Sequence, residues 1–180
     1  MNAPADLVLA YILAKDGNRP HLLDAVVAES VELRMVVHTD AISFPPTSWG
    51  RQAFVDTLVR RFNQTYENIY TFCLGAPPQS TDSSFSCRWL VAMSEKESGA
   101  VRVGCGRYEW LFEHPDRIVT GLLVHIDAME VMSPDQLTPV MAWVSRLSYP
   151  WCEETEALEA VPALKQLDSV VHALRKTGAS

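Results

Sequence analysis

The sequence has little that would hold a nucleic acid, a metal or a membrane. Acidic side chains outnumber basic ones, Asp+Glu 22 against Lys+Arg 15, giving a formal net charge of -7 and a pI near 5.2. The cations are scattered, Arg60-Arg61 and Arg175-Lys176 being the basic pairs, whereas phosphate recognition needs them clustered. The four cysteines, Cys73, Cys87, Cys105 and Cys152, never stand at CxxC spacing. A zinc site is therefore not expected, and free core thiols in a reducing cytoplasm are. The apolar run LVLAYILA is short, has no basic residues before it and runs into KDGNR rather than a cleavage site, so it reads as a helix and not a signal. No segment is long enough to span a bilayer. GxSxG, P-loop and HExxH motifs are missing, and Gly104-Cys105-Gly106 continues into a strand pattern instead of a phosphate-binding turn.

What the 180 residues do contain falls into three regions. The first, to about residue 63, reads as helix with one strand inside. A helix through Leu7, Tyr11 and Leu13 stops at Asp16-Gly17-Asn18, a second short helix runs from Pro20 to about Ala28, and VELRMVV is β-rich. HTDAISFPPTSWG is a long loop before a third helix, Gly50 to Asn63, whose Phe54, Leu58 and Phe62 form one apolar stripe. The second region holds four long runs, YENIYTFCL, SFSCRWLVAMS, VRVGCGRYEWLFE and RIVTGLLVHIDAMEV, whose order suggests an antiparallel meander. The third region, from Ser133, is helical again, with a capping-box pattern at Ser133-Pro134-Asp135-Gln136 and a final amphipathic helix through Leu158, Leu164, Leu167 and Leu174 that Pro162 breaks or starts. The fold class is α+β, with three N-terminal helices on a curved antiparallel sheet and a C-terminal helical extension.

The stretch LLVHIDAM carries His125 and Asp127 two residues apart, on one face of a strand. A tight turn at HPD would set Phe112 opposite Val119, Trp110 opposite Gly121, Tyr108 opposite Leu123, Gly106 opposite His125 and Gly104 opposite Asp127. That face then carries Tyr108, Trp110, Phe112, Leu123, His125 and Asp127, with open space over the glycines. Three neighbouring aromatics argue that it is the interior, which leaves Leu122, Val124 and Ile126 to meet a partner subunit. A one-residue slip in register would reverse the assignment.

AYILAKDGNRPHLLDAVVAESVELR and GRYEWLFEHPDRIVTGLLVHIDAMEV, with the order helix, helix, strand, helix, meander, resemble the NTF2-like superfamily, which includes ketosteroid isomerases and SnoaL-like polyketide cyclases. The resemblance covers about residues 5–132. It implies a cone with a deep apolar pocket, and a homodimer through the convex sheet face. By position it places Tyr11 at the oxyanion-hole tyrosine of the isomerases, Tyr108 at their protonated acid and Asp127 near the acid/base aspartate of the cyclases. Met35 stands where the isomerases keep their general base, so isomerisation by that mechanism is not expected, and the Asp-Arg-Asp set of limonene epoxide hydrolases is missing, the strand SFSCRWLV offering Arg88 without an aspartate of that motif.

The expectation is a domain at residues 1–132 with an extension at 133–180 that packs on the same domain or on a partner. Its pocket would bind a small, mostly apolar metabolite. Asp127 would serve as base, His125 as its proton partner, and Tyr11 with Tyr108 as oxyanion donors. Trp110, Phe112, Met35, Leu123 and Trp89 would wall the pocket, with His38 and Asp40 at its mouth. Isomerisation, dehydration or cyclisation on such a set needs no metal or organic cofactor. The alternative is a non-catalytic assembly module of the same fold.

Overall fold

The computed structural model describes residues 3–113 and 118–176. Helix α1 (Pro4–Asp16) opens on a proline, whose missing N–H is no loss in a first turn, and the Asp6 carboxylate accepts the Ala3 amide. Its side carrying Leu7, Val8, Tyr11 and Ile12 is buried. A single 3-10 turn, Pro20–Leu23, follows, and the chain is extended from Val27 in β1 (Val27–Val37). The helix expected to reach Ala28 is thus shorter, because Val27 already pairs with Val119 and its β-branched neighbours favour the sheet. A short strand, β2 (Thr47–Trp49), lies inside the stretch expected to be loop and pairs with β1.

One helical run follows Gly50: α2 (Arg51–Val55), a π-turn (Asp56–Arg60) and α3 (Arg61–Thr65). Phe54, Leu58 and Phe62 are buried along it. Then come β3 (Tyr66–Leu74), β4 (Ser84–Glu95), β5 (Val101–Glu113) and β6 (Ile118–Met132). The rest is α4 (Leu137–Val144), β7 (Trp151–Cys152), α5 (Glu154–Glu159) and α6 (Asp168–Lys176). The Ser133 hydroxyl bonds Asp135 ahead of a 3-10 turn at Pro134–Gln136, in place of a capping box, and the helix break expected at Pro162 separates α5 from α6.

The strands make one curved, open sheet in the order β2-β1-β6-β5-β4-β3-β7. It is mixed, since β1 runs parallel to β6 and β7 parallel to β3, while β3 to β6 form the expected antiparallel meander. Two apolar layers sandwich it. The inner one packs α1 and the α2–α3 run against Trp89, Val91, Met93, Tyr108, Trp110, Leu122, Val124 and Ile126. The outer one packs Val140, Trp143, Val144, Leu167, Val170 and Leu174 of the extension onto Phe72, Leu90, Ala92, Val103 and Cys105. The extension therefore lies on its own chain, over part of the convex face. Among the described residues no helix is long and apolar enough to cross a membrane.

The β5–β6 register corrects the strand-face assignment. Glu113 pairs with Ile118 and Phe112 with Val119, as expected, although the HPD connection itself lies outside the described residues. Thr120 then bulges, so that Leu111 pairs with Gly121, Trp110 with Leu122, Tyr108 with Val124, Arg107 with His125 and Gly106 with Ile126. One extra residue moves every following side chain to the opposite face. Leu122, Val124 and Ile126 join the aromatics inside, while Leu123 and His125 turn outward. A second irregularity at Asp127 resets the pairing, with Cys105 opposite Ala128 and Gly104 opposite Met129.

Candidate functional site

The concave face of the sheet and the helices over it enclose a cavity of about 40 Å³, on the order of three water molecules. From α1 come Tyr11 and Lys15; from the α2–α3 run Leu58 and Phe62; from the sheet Met35, Trp89, Val91, Met93, Tyr108, Val124, Ile126 and Met129; and from the loop after β1 Ile42 and Phe44. Among the described residues no carboxylate and no imidazole lines it.

Of the residues proposed from sequence, Tyr11, Tyr108, Trp89 and Met35 meet at this cavity. Tyr11 sits edge-on to Tyr108 at 5.8 Å and to Trp110 at 5.0 Å between ring centroids. Trp110 and Phe112 are buried behind it in the inner core. His125 and Asp127 are not in it, because the bulges described above point them away. His125 Nε2 lies 3.0 Å from Glu109 Oε1 on the outer face, beside Arg107, which donates to the same carboxylate at 2.8 Å. Burial of Glu109 opposes its ionisation, but the hydrogen bonds from Arg107 and His125 outweigh it and hold the carboxyl below its usual range. Asp127, exposed, lies 3.4 Å from His38 Nδ1, and Asp40 is exposed as well. Leu123 faces outward with His125. The space foreseen over the two glycines is filled, with the Trp89 ring against Gly106 and Met129 against Gly104.

Lys15 was not singled out from the sequence. It stands four residues after Tyr11, in a buried stripe that also holds Leu7, Val8 and Ile12, so helical spacing places it on the inner face. Its ammonium is buried, donates to Thr71 Oγ1 at 2.7 Å and to Asp16 Oδ1 at 3.3 Å, and sits 4.3 Å from the centroid of the Phe62 ring. Burial lowers its pKa, and the charge of Asp16 works in the opposite direction. Asp16 anchors three elements, since it also accepts the Thr71 amide and hydroxyl, both at 2.7 Å, and the Tyr149 hydroxyl at 2.9 Å. The C-terminal extension is thereby tied to the end of α1 that carries Lys15.

Four of the five tyrosines, Tyr11, Tyr66, Tyr108 and Tyr149, are held above the ordinary phenol range, in each case chiefly by burial. A raised folded-state pKa contributes stability below the unfolded value near about 10, and that stability is lost as pH climbs further, because unfolding then releases protons. The expected result is a native absorbance titration in which these four phenols stay protonated well above the range at which they ionise in denaturant, with unfolding free energy falling from about pH 10 upward. All five ionising near pH 10 in a still-folded protein would contradict the burial described.

Beyond the cavity lies an open groove of about 340 Å³ bordered by Ala41, Ser43, Pro45, Thr57, Arg61, Thr65 and Tyr66, which shares Ile42, Phe44 and Phe62 with the cavity. Those three side chains are the partition between the two spaces. The loop that supplies Ile42 and Phe44 is pinned by Arg102, whose Nη1 donates to the Ala41 carbonyl at 2.5 Å.

No protein-family model matches the chain, and no curated protein matches it in sequence. Solved structures do match. An NTF2-like protein from Burkholderia thailandensis superimposes with a TM-score of 0.55 at 12% identity, over 71% of this chain and 92% of the other. A hexachlorocyclohexane dehydrochlorinase of LinA type 3 from Novosphingobium barchaimii gives 0.56 at 12%, over 72% and 88%. A computationally designed 17-OHP binder gives 0.56 at 14%, over 72% and 99%. The chain has the NTF2-like fold. The share of this chain left uncovered is close to the size of the extension after Met132.

Proposed function

We propose that the chain binds a small, mostly apolar molecule bearing a hydrogen-bond acceptor, with cofactor-free acid/base chemistry on it as the activity this site would support. The observation that carries the reading is the character of the cavity: its wall is apolar, and each of the four polar side chains along it carries a hydrogen-bond donor, the Tyr11 and Tyr108 hydroxyls being bonded to each other. Tyr11 and Tyr108 bring hydroxyls, Lys15 an ammonium, and the Trp89 indole N–H is buried without a hydrogen-bond partner. An unpaired buried donor costs about 1–3 kcal/mol, which an acceptor on a ligand would recover. A carbonyl oxygen that gains charge during enolisation is such an acceptor. Solved proteins of this fold include a dehydrochlorinase and a designed small-molecule binder, which supports a ligand in the cone.

The cavity is smaller than the roughly 300–1,000 Å³ common for ligand sites, so binding has to move its wall. Met35, Met93 and Met129 supply adaptable side chains, and displacement of Phe44 would join the cavity to the outer groove. Small cyclic ketones and the matching hydrocarbons, compared by thermal shift, test the reading. Cyclopentanone is expected to stabilise the protein more than cyclopentane, and Tyr11→Phe or Tyr108→Phe to weaken the ketone about tenfold, the worth of one hydrogen bond of about 1.4 kcal/mol. Equal, variant-independent responses to both compounds would sink it.

His125 and Asp127 have no part in this proposal. A homodimer and a cytoplasmic location belong to it only as further readings: the four cysteines, all free and buried, suit a reducing compartment. A dimer would use the convex surface left open by the extension, around exposed Leu111 and the Arg107, Glu109 and His125 cluster.

A further inference from the structure

Resting on that reading of the cavity, we propose that Lys15 is a reactive amine whose nitrogen condenses with the carbonyl carbon of a small apolar aldehyde or ketone held there. Three features of the geometry point the same way. Lys15 lines the cavity, while the protein's other lysines, Lys96, Lys165 and Lys176, lie exposed at the surface. Its ammonium is fixed by Thr71 and Asp16 on one side and faces Phe62, itself part of the cavity wall, on the other. Tyr11, one turn earlier on the same face of α1, lines the same cavity and carries the nearest hydroxyl along that helix face.

The chemistry closes without an added cofactor. Asp16, whose Oδ1 lies 3.3 Å from Nζ, takes the ammonium proton and frees the lone pair. The nitrogen attacks the carbonyl carbon, the C=O π bond opens, and the oxygen takes one of the two protons left on nitrogen to give a carbinolamine. The proton held by Asp16 is returned to that oxygen, which leaves as water while the nitrogen lone pair forms the C=N bond, and the nitrogen keeps its last proton as the protonated imine. Burial supports the step, since it lowers the pKa of this amine and so raises its nucleophilic fraction near neutral pH. An imine so formed is an electron sink for removing a proton from the adjacent carbon, the class of step an isomerase or lyase needs.

A lysine paired with an aspartate can equally serve as a buried strut between α1 and β3, and the test separates the two roles. The full-length protein is incubated with butanal and cyanoborohydride, which delivers hydride to an imine carbon and fixes it as a secondary amine, and labelled peptides are mapped. Lys15 is expected to label on the order of tenfold faster than Lys96, Lys165 or Lys176, because burial leaves more of it as the neutral, nucleophilic amine. Butan-1-ol, which has the same carbon chain as butanal and cannot condense, is expected to slow labelling of Lys15 alone. Labelling of Lys15 no faster than the surface lysines overturns the proposal. If butan-1-ol nevertheless raises the melting temperature, the cavity reading stands and only the amine chemistry falls; if it does not, both fall. Because the comparison is made within the wild-type protein, it does not depend on a Lys15 variant folding.

Discussion

A chain ending at Met132 is expected to leave solution as aggregate or as a non-native oligomer rather than fold as a monomer. The expectation follows from what the extension covers. Val140, Trp143, Val144, Leu147, Leu167, Val170 and Leu174 are buried against Phe72, Leu74, Leu90, Val101, Val103 and Met132 of the sheet. Burial of each large apolar side chain is worth about 1.5–3 kcal/mol, so losing this layer removes an amount comparable to the roughly 5–15 kcal/mol that holds a domain together. The truncation also releases Tyr149 from Asp16, and the ion pair between Arg88 and Glu154. Sedimentation and circular dichroism of residues 1–132 would decide the matter. A soluble, well-ordered monomer would show that the inner layer suffices and that the extension is an accessory.

The same covering bears on the alternative of an assembly module. An apolar sheet face is a liability unless something lies on it, and in this chain α4 and α6 lie on it from within. What remains open is largely polar, with Arg107, Glu109 and His125 linked to one another. A partner docking there would meet side chains already satisfied, which weakens the case for assembly as the main role.

Much of the fold was legible because long periodic segments announce themselves. The stripe of Phe54, Leu58 and Phe62, the four long strands and the break at Pro162 all follow from local pattern. The site was less legible, and the reason is specific. A bulge at Thr120 adds one residue to β6; Gly121 beside it is the one local signal, a glycine inside a strand, but pairing counted from the turn outward takes no account of it. The error leaves the first two pairs correct and reverses the faces from Gly121 to Ile126, where the irregularity at Asp127 resets them. It put His125 and Asp127 inside and Val124 and Ile126 outside. Tyr108 survived it because it lies on β5, which pairs with β4 without a register shift from Val101 to Leu111. Tyr11 was reached by positional resemblance along α1. Lys15 was legible in principle, as the cation in an otherwise apolar stripe, but a lysine at a helix end is usually solvated and its true surroundings come from β3 and α3.

Gly106→Val is expected to be the most damaging single substitution in the sheet. A Cβ at this position would run into the His125 carbonyl oxygen and lie 2.7 Å from Trp89 Cζ2. The first obstacle is backbone in the neighbouring strand, which cannot turn aside as a side chain can, and the second is a large ring locked in the inner core. Overpacking of this kind costs about 3 kcal/mol or more, a large part of a domain's stability. Gly104 provides the contrast, since there the nearest atom is Met129 Cε at 2.5 Å, the end of a flexible chain, with the Ala128 carbonyl at 2.9 Å. The melting temperature should therefore fall further for Gly106→Ala than for Gly104→Ala, and furthest for Gly106→Val. Equal losses would mean that the β5 and β6 backbones separate easily. Because the Trp89 ring lies against Gly106 and also walls the cavity, any Gly106 variant that folds must displace that ring and with it a wall of the space a ligand would fill. Stability and ligand response should then fail together at Gly106, which ties the absence of one side chain in β5 to the existence of the cavity.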